Sequence, residues 1–328
     1  MGRLGWRGWL AALWCIGWLL GAGSAALAAD GASDGSTQTA FSKRRTGSDV
    51  EFDVGWTDAV ATPRAIAFAL PTAAVADDKD EPAILPRREM LGYAVEQIEA
   101  YGRSVGRSRR VHLTATIVRG GIELEARGTA SRARIRATIA EAEAVRDAAI
   151  ETWLDEHAFV RLDDGQLSFD HARLAAEYAD TVTPIARALR AEALDDRAFV
   201  ELALSFVQAI PYEATTRLGG DPGYRRPLAV LARNRGDCDS KTVLFLALVR
   251  AELPAAPLAV VYVPGHALAG VGLDRAAGDE RFREDGVRYL YAEPVGPLLL
   301  PLGGEVPRDH RARRGEVHPV AAAPAPVG

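Results

Sequence analysis

Cysteine is almost missing from this chain: its 328 residues hold two, Cys15 and Cys238. Cys15 lies in an apolar N-terminal stretch, so the remainder carries a single thiol and no internal disulfide is possible there. An excess of positive charge is missing too, since 39 Lys and Arg stand against 44 Asp and Glu, for a formal net charge of -5. That balance excludes the broad basic footprint of a nucleic-acid-binding protein. The one local cluster, Arg103, Arg107, Arg109 and Arg110, reads as a solvated loop. No phosphate-cradling glycine loop occurs, because Gly219-Gly220-Asp221-Pro222-Gly223 is turn chemistry. There is no internal repeat at a useful period. What remains is an ordinary globular composition, 48% apolar and 25% charged, long enough for one large domain or two smaller ones.

The N-terminus has the form of an export signal. Arg3 and Arg7 precede an uncharged run from Gly8 to Ala29, densest from Trp9 to Leu20, and Ala26-Leu27-Ala28 is an A-x-A cleavage pattern. The run is also long enough to span a bilayer, so an uncleaved membrane anchor is the competing expectation. Either way the body is expected in the periplasm or outside the cell. A lone thiol in an oxidising compartment is a liability unless it is buried or used.

Taken in order, residues 1–29 are the signal or anchor, and 30–47, rich in Gly, Ser, Thr and Asp, are expected to be a flexible linker. Residues 48–130 read as a small α+β module. Val50–Trp56 and Ala65–Leu70 alternate as strands, Val75–Glu81 is acidic and loop-like, and Pro86–Tyr101 carries Met90, Leu91, Ala94, Val95 and Ile98 at helical spacing. Val111–Val118 and Ile122–Ala126 form a hairpin pattern around Gly120-Gly121. A helical connector follows over 131–194, with a short hairpin turn at Asp163-Asp164-Gly165 and helices around Asp170–Asp180 and Pro184–Ile210, the latter either continuous or broken near Asp195-Asp196. Residues 195–305 contain the chemistry, and 306–328, rich in Arg, Pro and Ala, are expected to be a disordered tail.

The chemistry centres on Asp237-Cys238-Asp239-Ser240-Lys241-Thr242, followed by the apolar run Val243–Val249. Asp237 is a fitting N-cap, which puts Cys238 in the first turn of a helix. Unpaired N–H groups and the positive dipole end favour an anion there, so a lowered thiol pKa is expected. Downstream, Leu258–Val263 is a buried-strand pattern, Pro264-Gly265 turns it, His266 opens a second strand, and Val287–Ala292 makes a third ending at Glu293-Pro294. Cysteine at a helix start, histidine at a strand head and a carboxylate at the next strand's end are the parts of thiol catalysis: a nucleophile, a base for its proton, and a group that fixes the imidazole. A small buried cysteine filling a gap in a helix is the bland alternative. A metal site from Asp237, Cys238, Asp239 and His266 lacks the usual thiolate and imidazole count. Asp239 and Lys241 form a local pair or position substrate, and Tyr224 and Arg225 line the cleft or sit in an exposed loop.

Arg235-Gly236-Asp237-Cys238-Asp239-Ser240-Lys241 with its Leu/Ala-rich helix, Gly265-His266-Ala267 before a strand, and the approach through Ile210-Pro211-Tyr212 and Pro227–Arg235 resemble the transglutaminase-like cysteine enzyme superfamily. The resemblance spans about residues 195–300. It implies an α+β, papain-like core in which a Cys-bearing helix packs on an antiparallel sheet. It further implies Cys238 as nucleophile, His266 as base and Glu293 as orienting group, with Asp239 and Tyr224 as substrate-binding candidates, and action on amide bonds. The third member in that superfamily is usually Asp, sometimes Asn, and an aromatic often follows the histidine; here Glu293 and Leu268 stand instead. The expectation is an exported amide hydrolase using no cofactor or metal, with a peptide or protein substrate, cell-wall stem peptides included. A catalytically silent binding or scaffold module, and a cross-linking acyltransferase, are the alternatives.

N-terminal sequencing of the mature protein is expected to start near Ala29 or Asp30; an intact Met1 in a membrane fraction favours the anchor, and an intact Met1 in soluble cytoplasm refutes export.

Overall fold

The structure, a computed structural model, describes residues 36–78, 83–213, 223–306 and 315–322. The export segment and the turn at Gly219–Pro222 lie outside these residues. In chain order the elements begin with β1 (Gln38–Thr46), β2 (Asp49–Thr57), β3 (Pro63–Pro71), α1 (Thr72–Asp77) and β4 (Ala83–Ile84). Next come α2 (Arg87–Arg109), β5 (Val111–Val118), β6 (Gly121–Gly128), α3 (Arg132–Glu156) and β7 (Phe159–Arg161). After them follow β8 (Leu167–Phe169), α4 (His171–Glu177), α5 (Ala179–Ala191), α6 (Asp196–Ala209), β9 (Gly223–Tyr224), α7 (Pro227–Arg233) and α8 (Cys238–Glu252). The last strands are β10 (Leu258–Val263), β11 (His266–Val271), β12 (Arg281–Glu284), β13 (Val287–Ala292) and β14 (Val317–Val320). The fold is mixed α+β with antiparallel sheets. Among the described residues no helix is long and apolar enough to cross a membrane.

Two compact units arise, one from Pro86–Arg161 and the other from Gly31–Leu85 with Leu162–Gly328. The expected 48–130 module is therefore divided, and the first part of the expected connector joins its second half. Within Pro86–Arg161, Met90, Ala94 and Ile98 form the buried stripe of α2, which packs on α3 and on the β5–β6 hairpin. That hairpin pairs from Val111↔Gly128 to Val118↔Gly121 and turns through Gly120 at φ +98°, where glycine is favoured. The arginine cluster, expected in a loop, closes α2 instead, where cations suit the negative end of the helix dipole. Arg109 lies 2.7 Å from Glu141 of α3.

In the larger unit β1, β2 and β3 form an antiparallel sheet whose inner face is read off by alternation: Phe52, Val54 and Trp56 on β2 and Ile66, Phe68 and Leu70 on β3 are buried. That face packs on α5 and α6, with Trp56 donating to Ser205 Oγ at 3.1 Å and Phe206 5.5 Å from its ring. The expected linker thus contains β1, an edge strand paired from Gln38↔Trp56 to Thr46↔Asp49, because its polar side chains need no core to be ordered by main-chain pairing. Likewise the expected tail contains β14, which pairs with β10 through Leu258↔Val320 to Val261↔Val317. The acidic loop expected at Val75–Glu81 begins with the last residues of α1. Pro184 lies inside α5 rather than opening a helix, and α6 starts afresh where Asp195 accepts from the N–H of Ala198 at 2.8 Å.

Helix α8 is the centre of this unit. Every residue from Ser240 to Arg250 is buried, as a helix apolar on all sides must be. Helices α4, α5, α6 and α7 pack against it, and β10 and β11 lie on its remaining side. The five-stranded sheet runs β12-β13-β11-β10-β14. Its far face holds a second core of Ala259, Val261, Val263, Leu268, Phe282, Tyr289, Tyr291 and Val306. Covered on both faces, β10 reads as a continuous apolar run rather than an alternating one.

Trp56→Ala is expected to lower stability by about 3–5 kcal/mol in chemical denaturation, against less than about 0.5 kcal/mol for the exposed Val60→Ala. Equal effects of the two would mean that the β1–β3 sheet is not seated on α6.

Candidate active site

Asp237 caps α8, its side chain accepting from the N–H of Ser240 at 3.0 Å, so Cys238 is the first helical residue. Ser240 in turn accepts from the N–H of Arg225 at 3.0 Å, which fastens the loop after β9 to the start of the helix. Gly236 admits no side chain without crowding, since a Cβ there would lie 3.1 Å from Lys241 and 3.2 Å from Val230. The close approach lets Pro211–Glu213 run beside it: Gly236 donates to Pro211 O at 3.2 Å and Glu213 to Gly236 O at 3.1 Å. Tyr212 is thereby placed by the thiol with 45% of its surface exposed. Burial and then the charges of Cys238, Asp237 and Asp239 push its hydroxyl pKa up.

The opposite side of the site is the head of β11. Gly265 turns at φ +76°, and His266 follows as the first residue of the strand. Its Nε2 donates to Glu293 Oε2 at 2.7 Å, while Glu293 Oε1 accepts from the N–H of Val295 at 3.0 Å. Helix and strand meet at Ala267, the neighbour of the histidine. Ala267 O accepts from Thr242 Oγ1 at 3.2 Å, and the Ala267 N–H weakly favours the Cys238 thiolate. The imidazole and the carboxylate are therefore paired at the head of β11, and the Cys238 helix meets that strand one residue further on, at Ala267. Because Glu293 holds Nε2, Nδ1 is the ring nitrogen left without that carboxylate.

The electrostatics of the thiol run against expectation. Burial above all, then the charges of Asp239 and Asp237 and the S–H bond to Asp239 Oδ1 at 3.3 Å, push the Cys238 pKa up; the Ala267 N–H opposes them more weakly. The helix N-terminus does not lower it, because the same turn that supplies free N–H groups also brings two carboxylates. At neutral pH the resting group is a thiol.

Tyr224 does not line a cleft. It is 1% exposed and packs in a cluster of rings, 5.1 Å from Phe169 and 5.5 Å from His171, because β9 pairs with β4 and turns this ring inward. Among the described residues its hydroxyl and His171 Nε2 have no hydrogen-bond partner, and burial holds the His171 pKa down. Asp239 is half-buried with one oxygen on the thiol, so the contact that the structure gives it is with Cys238. Lys241, expected in a surface pair, is fully buried, and its ammonium donates to Ile210 O at 2.7 Å and Gln208 O at 3.3 Å. These carbonyls belong to the end of α6, where a cation is favoured.

Gln208 escaped the sequence reading. It is 1% exposed among Phe206, Val207, Ala209 and Ile210, all buried, and its Nε2 donates to Glu293 O at 2.8 Å and Leu300 O at 2.9 Å. The signal was there, since a lone amide inside an apolar helical run needs a buried partner. Among the described residues no group of three or more His, Cys, Asp or Glu is arranged to hold a metal. No protein-family model, curated protein or solved structure matches the chain.

Asp239→Asn removes one of the two carboxylates and the S–H acceptor, so alkylation of Cys238 by iodoacetamide at a fixed, mildly alkaline pH is expected to accelerate about tenfold, one pKa unit of thiolate. The wild-type thiol is expected to label more slowly folded than in urea. An unchanged rate in Asp239→Asn would show that this carboxylate does not control the thiol.

Proposed function

We propose that this chain is an exported cysteine-dependent amide hydrolase of the transglutaminase-like superfamily, with a papain-like core. Cys238 is the nucleophile, His266 the base and Glu293 the group that orients the imidazole. The observation that carries the proposal is the pairing of His266 Nε2 with Glu293 at 2.7 Å at the head of β11, whose next residue, Ala267, is bonded through its carbonyl to Thr242 of the Cys238 helix. A thiol, an imidazole and a carboxylate supplied in this order suit acyl transfer.

With the thiol pKa pushed up, proton transfer and attack go together. The S–H proton passes to His266 Nδ1 as the sulfur adds to the amide carbonyl carbon, giving a tetrahedral oxyanion. The first N–H groups of α8, which a helix leaves without internal acceptors, lie at the thiol end and can bind that oxyanion. Collapse breaks the C–N bond, the imidazolium returns its proton to the departing amine, and a thioester remains on Cys238. Water then attacks, His266 takes its proton, and the acid and the thiol are released. Glu293 stabilises the imidazolium in both halves. The substrate is a peptide or protein, with cell-wall stem peptides suiting an exported enzyme. An amine in place of water turns the same steps into cross-linking.

One observation favours the second reading, a binding or scaffold module of the same fold: burial and Asp237 and Asp239 disfavour the thiolate. Turnover on peptide amides separates the two. Cys238→Ser and His266→Ala are expected to abolish it. Glu293→Gln is expected to lower kcat about ten- to a hundred-fold, less than in a serine triad because thiol enzymes work with an amide at this position. Glu293→Ala should cost more, since the ring loses its anchor as well as the charge. Wild-type rates in both Glu293 variants would take it out of the centre, and no turnover by the wild type on any peptide amide would leave the scaffold reading.

A further inference from the structure

We propose that Gln208 is a positioning residue for this centre, setting the strand end that bears Glu293 at a fixed distance from the helix that bears Cys238; this rests on the catalytic reading of those residues. The β11–β13 ladder ends at Ala269↔Ala292, one residue short of Glu293. The sheet therefore does not hold the carbonyl of Glu293, which must find its donor elsewhere. Gln208 supplies it, with one amide group donating to Glu293 O at 2.8 Å and to Leu300 O at 2.9 Å. Two carbonyl acceptors on that side require the NH2 group there, so Oε1 faces the other way, where it is buried without a hydrogen-bond partner. An apolar side chain of the same shape would leave no orphan acceptor. The amide is thus retained for its two bonds rather than for its packing.

The backbone of the same residue reaches the nucleophile's helix. Gln208 O accepts from Nζ of Lys241, which stands three residues after Cys238 and also binds Ile210 O at 2.7 Å. Gly296, three residues after Glu293, lies directly on this peptide: a Cβ there would stand 2.2 Å from Gln208 O. One residue of α6 therefore touches the carboxylate's segment through its side chain and the thiol's helix through its backbone. Position matters steeply here, because a displacement of about 1 Å can cost roughly a hundred-fold in rate.

The test uses the full mature chain with Gln208→Met, which keeps the length and loses both donors, and Gln208→Asn, which keeps the amide but falls short. Folding is checked by circular dichroism, and either folded variant decides the question. In the wild type the His266 Nε2–H proton, bound to a carboxylate, is expected as a low-field proton resonance that His266→Ala removes. In the Gln208 variants that resonance is expected to disappear into exchange with water, and Cys238 alkylation to slow about ten- to a hundred-fold. Adding His266→Ala to either variant should then slow labelling no further than His266→Ala alone. A retained low-field resonance in a folded Gln208 variant, or additive effects with His266→Ala, overturns the proposal. Should His266→Ala alone leave labelling unchanged, the catalytic reading fails, and the ring-proton resonance still decides whether Gln208 positions the pair.

Discussion

The carbonyl of Ala267 accepts from Thr242 of α8, and its N–H favours the thiolate of Cys238 at the start of the same helix; the rest of the site is arranged around that meeting of helix and strand. A helix that is apolar on all sides has no polar face to fix its rotation, so the rotation must be set by the few polar side chains it does carry. Asp237 fixes the start, Thr242 the first full turn, and Lys241 and Arg250 the two ends. Arg250 is buried with its guanidinium on carbonyls alone: Pro254 O at 2.7 Å, Ala256 O at 2.9 Å and Val320 O at 3.0 Å. Burial lowers its pKa, as it must for a cation held only by dipoles. Both buried cations of α8 are thus spent on holding main chain in place.

The same local demands shape the reactivity of the thiol. Asp237 is needed to begin the helix, and it raises the pKa of the residue that the helix presents. The dipole of α8 and the carboxylate of its cap are opposed at one point, while burial first, then Asp239 and Asp237, push the thiol pKa up. A thiol of this kind is quiet at rest, and under the proposed chemistry it would act only with a base close enough to receive its proton during attack. On that proposal the burden falls on the geometry of His266, and hence on Glu293 and the segment that carries it.

Much of this was legible from residue order. The N-cap at Asp237, the buried strand at Leu258–Val263, the turn at Gly265 and the hairpin about Gly120-Gly121 are local events, each written in a few neighbouring side chains. The places of Cys238, His266 and Glu293 at the ends of recognisable elements were legible for the same reason. What could not be read was which surfaces cover one another. Phe52, Val54 and Trp56 announce an inward face but not that α6 lies beneath it, so 48–85 was assigned to the wrong unit. Tyr224 looked like a cleft residue because turn-rich sequence surrounds it; its partner β4 is far away in the chain. Strand β1 was missed because an edge strand ordered by main-chain pairing carries no apolar alternation. The direction of the thiol pKa was missed because burial, its largest cause, is a property of the packed helix rather than of the motif.

The placement of Pro86–Arg161 within the chain has a kinetic consequence. That unit is built from neighbours in sequence, α2 with the next hairpin and the next helix, so its contacts close short loops. The unit around α8 is built the other way. Trp56 must find Ser205 across 149 residues, and β1 must find α7, where Gln38 and Asn234 exchange bonds across 196. Loop closure of that length adds little to the equilibrium, about 0.6 kcal/mol for each doubling, but contacts so distant form late. The inserted unit should therefore be folded while the segment before it is still waiting for α6. Until then the β2 and β3 side chains face water, and the centre at Cys238 cannot assemble before the first and last parts of the chain have met.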